Sequence, residues 1–177
     1  MDATDLGLLV LRLVVGLTFA AHGAQKAFGW FDGIGWAGWQ GIMVRLGFRP
    51  TLLFAAVSMG AELVGGLSLA VGFLTPLAAT ILVGQLIVII AKSHWANGFW
   101  NRANGFEFPL ALLGGTIAIG LIGPGAVSVD ALDGFALSET IRLGLFVVGV
   151  VGGLLTLAVP TLTRKPSDEA DEATARS

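Results

Sequence analysis

The chain has 177 residues, 55% of them hydrophobic and only 12% charged, with a mean hydropathy of +0.84. Soluble domains carry about 25% charged residues, so this composition excludes a water-facing globule and predicts one membrane domain. The net charge of −2, with no basic tract, speaks against a nucleic-acid partner, and the lack of cysteine removes disulfide exchange, thiolate metal sites and iron–sulfur ligation by this chain.

A crossing helix needs roughly 20 mostly apolar residues, because the hydrocarbon core is about 30 Å thick. The predicted spans are 6–28, 52–73, 76–91, 108–122 and 141–159. Acidic Asp2 and Asp5 precede the first run, which is too long for the h-region of a secretory signal, so it reads as a span. At about 100° per residue, its Arg12, Gly16, Phe19, His22, Gly23 and Lys26 share roughly a third of the circumference. That face is expected to point into the bundle. Residues 29–50 hold Trp30, Trp36 and Trp39; tryptophan favours the headgroup level, and an interfacial or re-entrant helix is expected there.

The second run carries Glu62 near its midpoint, with Ser58, Gly65 and Gly66 on the same side. A bare carboxylate at this depth must protonate or find a cation, and Arg12 and His22 are the expected partners. Gly72 and Thr75-Pro76 turn the chain, with Pro76 suited to a first helical turn. The third run holds Gln85, with Lys92 two turns on. The loop 93–105, with Trp95, Phe99 and Trp100, again reads as interfacial. Glu107 opens the fourth run at the end where Lys26, Lys92 and His94 gather, and Gly123-Pro124-Gly125 stops it. The domain is expected to fill residues 1–160, and 161–177, with Asp168, Glu169, Asp171 and Glu172, to form a disordered acidic tail.

Lys26, Arg45, Arg49, Lys92, Arg102, Arg164 and Lys165 fall on one side of this five-span arrangement, against little beyond Arg142 on the other. The positive-inside rule then predicts the N-terminus out and the C-terminus in.

Ionisable residues inside a membrane are functional candidates by default. The candidate polar core is Arg12, His22, Lys26, Glu62, Gln85 and Glu107. Three readings stay open: interhelical glue, worth roughly 0.6–2 kcal/mol per hydrogen bond; a polar cavity for a small molecule or quinone headgroup; and a proton or ion path. His22 and His94 make a weak haem pair, since each has acidic or aromatic neighbours to satisfy it. Gly65-Gly66 and Gly114-Gly115 read as points of close helix packing. No phosphate-binding loop, metal-ligand cluster or nucleophile elbow is present, so no catalytic motif or intrinsic cofactor is expected.

Four groups of residues carry a family resemblance. They are Arg12, Gly16 and His22-Gly23-Ala24-Gln25-Lys26 with Gly29; Glu62, Gly65-Gly66, Leu69, Gly72 and Thr75-Pro76; Gly98-Phe99 with Gly105-Phe106-Glu107-Phe108; and Gly123-Pro124-Gly125 with Ser128 and Asp130. In their order and spacing, over residues 6–130, the chain resembles the DoxX family of small multi-pass membrane proteins. The resemblance implies an all-α, four-helix membrane bundle, here extended by a fifth C-terminal transmembrane helix that is a candidate docking surface for another protein. It also implies a place in the inner (plasma) membrane as a subunit or anchor of a redox complex, since the family is named after a subunit of a thiosulfate:quinone oxidoreductase. A quinone is then the implied cofactor, and the lipid bilayer and other membrane or membrane-associated proteins the partners. A non-catalytic structural or assembly subunit is the alternative. A small transporter ranks below both, because the chain is short and lacks paired broken helices.

Overall fold

Capping and turn chemistry set the helix boundaries in the computed structural model, which describes residues 2–163. Helix α1 (Ala3–Phe28) begins in a capping box, in which Asp2 and Asp5 each accept the other's backbone N–H, and ends at left-handed Gly29. A short α2 (Gly35–Arg45) lies in the tryptophan-rich connection. Helix α3 (Thr51–Val71) stops at Gly72, φ 71°, and α4 (Thr75–Ile89) starts three residues later with Pro76 in its first turn. A π-helical turn (Ile90–His94) and a 3-10 turn (Trp95–Asn97) prolong α4. Helix α5 (Glu107–Ile122), the one-turn α6 (Val129–Asp133) and α7 (Glu139–Leu162) complete the described chain.

The protein is an all-α membrane protein. Among the described residues, four helical stretches, α1, α3, Thr75–Asn97 and α7, are long and apolar enough to cross a bilayer. Helix α5 is equally apolar but has 16 residues, about 24 Å at 1.5 Å per residue. Helix α7 runs to Leu162, past the expected start of the tail at 161. The remainder of that expected tail, 164–177, lies outside the described residues.

Small residues bring the helices together. On α1, a Cβ at Gly16 would lie 2.6 Å from Gly66 O and Ala70 N, and one at Gly23 would lie 2.4 Å from Leu63 N. Pairing 16 with 66–70 and 23 with 63 makes α1 and α3 antiparallel and fixes their register. Helices α4 and α7 run parallel through Thr80, Gly84, Gly149 and Gly153, where a Cβ at Gly149 would lie 2.6 Å from Thr80 O. Gly115 packs on Val15 as expected, but Gly114 meets nothing within 4 Å and is not a packing contact. Val15, Phe19, Leu69, Leu82, Leu86 and Ile119 fill the space between the helices. Val14, Val64, Val147 and Leu155 are exposed on outer faces, the surface that hydrocarbon requires.

This topology gives the bundle two unlike ends. The ends of α1 and α4, helix α2 and the start of α5 gather Lys26, Arg45, Lys92 and Arg102 at a basic end. The α3–α4 turn, α6 and the starts of α1 and α7 gather Asp2, Asp5, Asp130, Asp133 and Glu139 at an acidic end.

Candidate functional site

The α1–α3 register decides which charges meet. Gly23 faces Leu63, so Lys26, one turn further along α1, arrives beside Glu62. Its Nζ lies 2.6 Å from Glu62 Oε1, and the two side chains are 13% and 2% exposed. The partner expected for Glu62 was Arg12 or His22, and the structure corrects this to Lys26. Arg12 is 14 residues earlier on α1, about 21 Å away along the axis. It is 1% exposed at the acidic end, where it donates to Pro124 O at 2.6 Å and to Val127 O. Asp130 completes that cluster by accepting from Leu74 N at 2.6 Å and Thr75 N at 2.8 Å. These bonds satisfy the free amides at the start of α4 and clamp the α5–α6 loop over the bundle.

His22 turns out of the predicted polar face. It is exposed, bonded to Gln25 in its own helix at 3.0 Å, with its ring centroid 6.1 Å from that of Phe108. Glu107 stays near the basic end but holds its own loop, accepting from Asn101 N at 2.9 Å. His94 Nδ1 sits 2.8 Å from Asn104 O in the same loop. The expected core therefore divides. Lys26, Glu62 and Gln85 come together, whereas Arg12, His22 and Glu107 each serve elsewhere.

Around the Lys26–Glu62 pair the polar groups form a short chain. Gln85 Nε2 donates to Glu62 Oε1 at 3.3 Å and to Ser58 Oγ at 2.5 Å. The Trp39 ring covers the ammonium at 3.9 Å, and its Nε1–H donates to Ala55 O at 3.2 Å. A cation over an indole face gains about 0.5–2 kcal/mol, more where water is excluded. The second carboxylate oxygen, Glu62 Oε2, is buried without a partner.

Ser58, Gln85 and Trp39 also form part of the wall of a cavity of about 330 Å³. Its floor is α4, its sides are α3 and α7, and Trp39, Met43, Phe48 and Lys92 close it at the basic end. Gly84, Gly149, Gly152 and Gly153 also line it; the first, second and fourth hold α4 and α7 in close contact, whereas a Cβ at Gly152 would meet nothing within 4 Å. Val57, Ile81 and Val148 at its rim are exposed on the outer surface, so it is a slot open sideways to lipid. A shallower groove of about 480 Å³ along α3 and α4, past Gly60, Val64, Gly65 and Leu77, shares Val57, Ala61 and Ile81 with the slot. Among the described residues no three His, Cys, Asp or Glu side chains group as metal ligands.

Ser58, Trp39 and Asp130 join these clusters as residues outside the candidate polar core, although each lies in a stretch with its own sequence signal. The small-xxx-small pair Gly149 and Gly153 was the available signal for the α4–α7 contact.

The DoxX family model matches residues 7–95, a span that holds Lys26, Trp39, Ser58, Glu62, Gln85 and Lys92. The chain is 30% identical over 132 residues to "Uncharacterized membrane protein Rv3486" of Mycobacterium tuberculosis, covering 69% of this chain and 78% of that protein. It is 31% identical over 130 residues to "Inner membrane protein YqjF" of Escherichia coli K12, covering 72% of this chain and 92% of that protein. No solved structure matches it.

Proposed function

This chain belongs to the DoxX family of multi-pass membrane proteins, and we propose that it binds an isoprenoid quinone as the membrane subunit of a redox complex. One observation carries the reading: a lipid-open slot whose apolar wall holds a polar pair, Ser58 and Gln85, backed by the buried Lys26–Glu62 ion pair. Ligand sites are mostly apolar, with a few placed polar groups that fix orientation. The slot is sized for a headgroup and the first part of a chain, and the α3–α4 groove that continues from it offers an apolar track for the rest.

In this reading Ser58 supplies a hydrogen bond to a headgroup oxygen. Glu62 and Lys26 hold the Gln85 amide in place, and Trp39 screens the ion pair from the slot. Electrons reach the quinone from partner subunits docked on the bundle. With the basic end on the cytoplasmic side of the plasma membrane, the polar part of the slot lies nearer the cytoplasmic leaflet.

Titration of the purified full-length protein in mild detergent with a decyl-chain benzoquinone tests this. The expected result is saturable quenching of tryptophan fluorescence, largely lost in Trp39→Phe and weakened about fivefold in Ser58→Ala by removal of one hydrogen bond. Quenching that rises linearly with quinone, and is identical in the native protein and Ser58→Ala, overturns the reading.

A further inference from the structure

The hydrogen-bond polarity of the slot wall carries an inference beyond the presence of a quinone. The orientation of a glutamine amide is set by its neighbours. Glu62, held at 2.6 Å by the Lys26 ammonium, offers only acceptor oxygens to Gln85, so the Gln85 group 3.3 Å from Oε1 must be its NH₂. The other hydrogen of that NH₂ goes to Ser58 Oγ at 2.5 Å. Both donors of Gln85 are thereby spent, and its carbonyl Oε1 keeps no partner and some exposure on a residue that lines the slot.

Ser58 is fixed in the opposite sense. Thr18, Thr80, Thr116 and Thr156 each donate their hydroxyl to the backbone carbonyl four residues earlier. Ser58 makes no such bond. Its oxygen accepts from Gln85, and its own proton remains to donate. The wall therefore presents one acceptor, Gln85 Oε1, beside one donor, the Ser58 hydroxyl. Lys92, at the basic end of the slot, has donors only and makes no hydrogen bond or ion pair within the described chain.

A quinone carbonyl can accept from Ser58 but has nothing to give Gln85, and two carbonyl oxygens then face each other in an apolar slot. A phenolic hydroxyl accepts from Ser58 and donates to Gln85. Either form can accept from Lys92, which does not discriminate between them. We infer that the slot recognises a hydroxyl-bearing headgroup and binds the reduced quinol more tightly than the quinone. This rests on the proposed quinone site and adds its redox preference, with Gln85 as the residue that sets it.

The test is a pair of titrations on the full-length protein under anaerobic conditions, one with a decyl-chain quinone and one with its two-electron-reduced quinol, each corrected for partition into detergent. One extra hydrogen bond predicts that the quinol binds about five- to tenfold more tightly. Gln85→Met removes the acceptor at similar length and is expected to make the two affinities equal. Ser58→Ala is expected to weaken both alike and keep their ratio. Should Gln85→Met not fold, Glu62→Gln serves instead: it lets the Gln85 amide turn, and the preference falls. Equal binding of both forms to the native protein, or tighter binding of the quinone, overturns the inference and leaves the quinone site standing. Binding of neither form overturns both.

Discussion

Replacing Lys26 by methionine removes the cation while keeping the length of the side chain. Glu62 is 2% exposed and has one oxygen already without a partner. After Lys26→Met its other oxygen keeps only the 3.3 Å bond from Gln85. Stripping one partner from a buried ion pair costs about 3–5 kcal/mol, because a desolvated charge is left behind. Glu62→Gln should be milder, about 1–2 kcal/mol, since a neutral amide can still accept from Gln85 and Lys26 keeps the Trp39 ring at 3.9 Å. Lys26→Met combined with Glu62→Gln should cost no more than about 2 kcal/mol, because no uncompensated charge remains. The second substitution thus rescues the first by at least about 1 kcal/mol, a coupling between the two sites of at least about 2 kcal/mol. Unfolding in mixed micelles of dodecyl maltoside and increasing SDS, followed by tryptophan fluorescence, gives all four stabilities. A Lys26→Met protein as stable as the native one, or a double variant no better than Lys26→Met, would refute the claim that this buried ion pair joins α1 to α3.

Three further outcomes follow from the packing and the topology. Gly16→Ala places a Cβ 2.6 Å from two backbone atoms of α3, so the helices must part at a cost of about 1–3 kcal/mol, whereas Gly60→Ala meets nothing within 4 Å and should be neutral in the same unfolding assay. Asp130→Ala leaves the Leu74 and Thr75 amides without acceptors, a loss of about 2–3 kcal/mol that should appear as faster proteolysis between Gly123 and Asp133. The absence of cysteine makes single-cysteine labelling clean: in intact cells a membrane-impermeant maleimide should label Ser138→Cys and not Asn101→Cys, and the reverse pattern contradicts the orientation given by the basic end.

The helical runs were legible in sequence because apolar length and turn chemistry act locally. Gly72 and Pro76 mark the α3–α4 turn, and the tryptophans of 29–50 mark α2, without knowledge of any partner helix. Burial of Glu62 was equally legible, since a mid-span carboxylate cannot face lipid. Its partner was not. Helical periodicity puts Arg12, His22 and Lys26 within one broad face of α1, and only the register with α3, set by the close approaches of Gly16 to Gly66 and of Gly23 to Leu63, selects among them. His22 fell outside for a related reason: at the edge of that face, a small rotation of α1 sends its ring to Phe108 instead of inward. The slot was invisible because its lining comes from three helices across chain separations of 26 to 95 residues, from Ser58 on α3 to Gly84 on α4 and to Gly153 on α7. The role of Asp130 was hidden likewise, because its bonds to Leu74 and Thr75 form only once α6 folds back over the α3–α4 turn.

The most direct test of the central claim is photo-crosslinking of the full-length protein in native-lipid nanodiscs with a photoreactive decyl quinone, followed by peptide mapping. Label is expected on the residues that border the slot, Met43, Val88, Ile89 and Thr156, with competition by unlabelled quinone and loss of signal in Gly152→Leu, which adds bulk at a slot-lining position whose Cβ meets nothing within 4 Å. Label scattered over the outer faces of α1 and α5, unaffected by competitor or by Gly152→Leu, would contradict it.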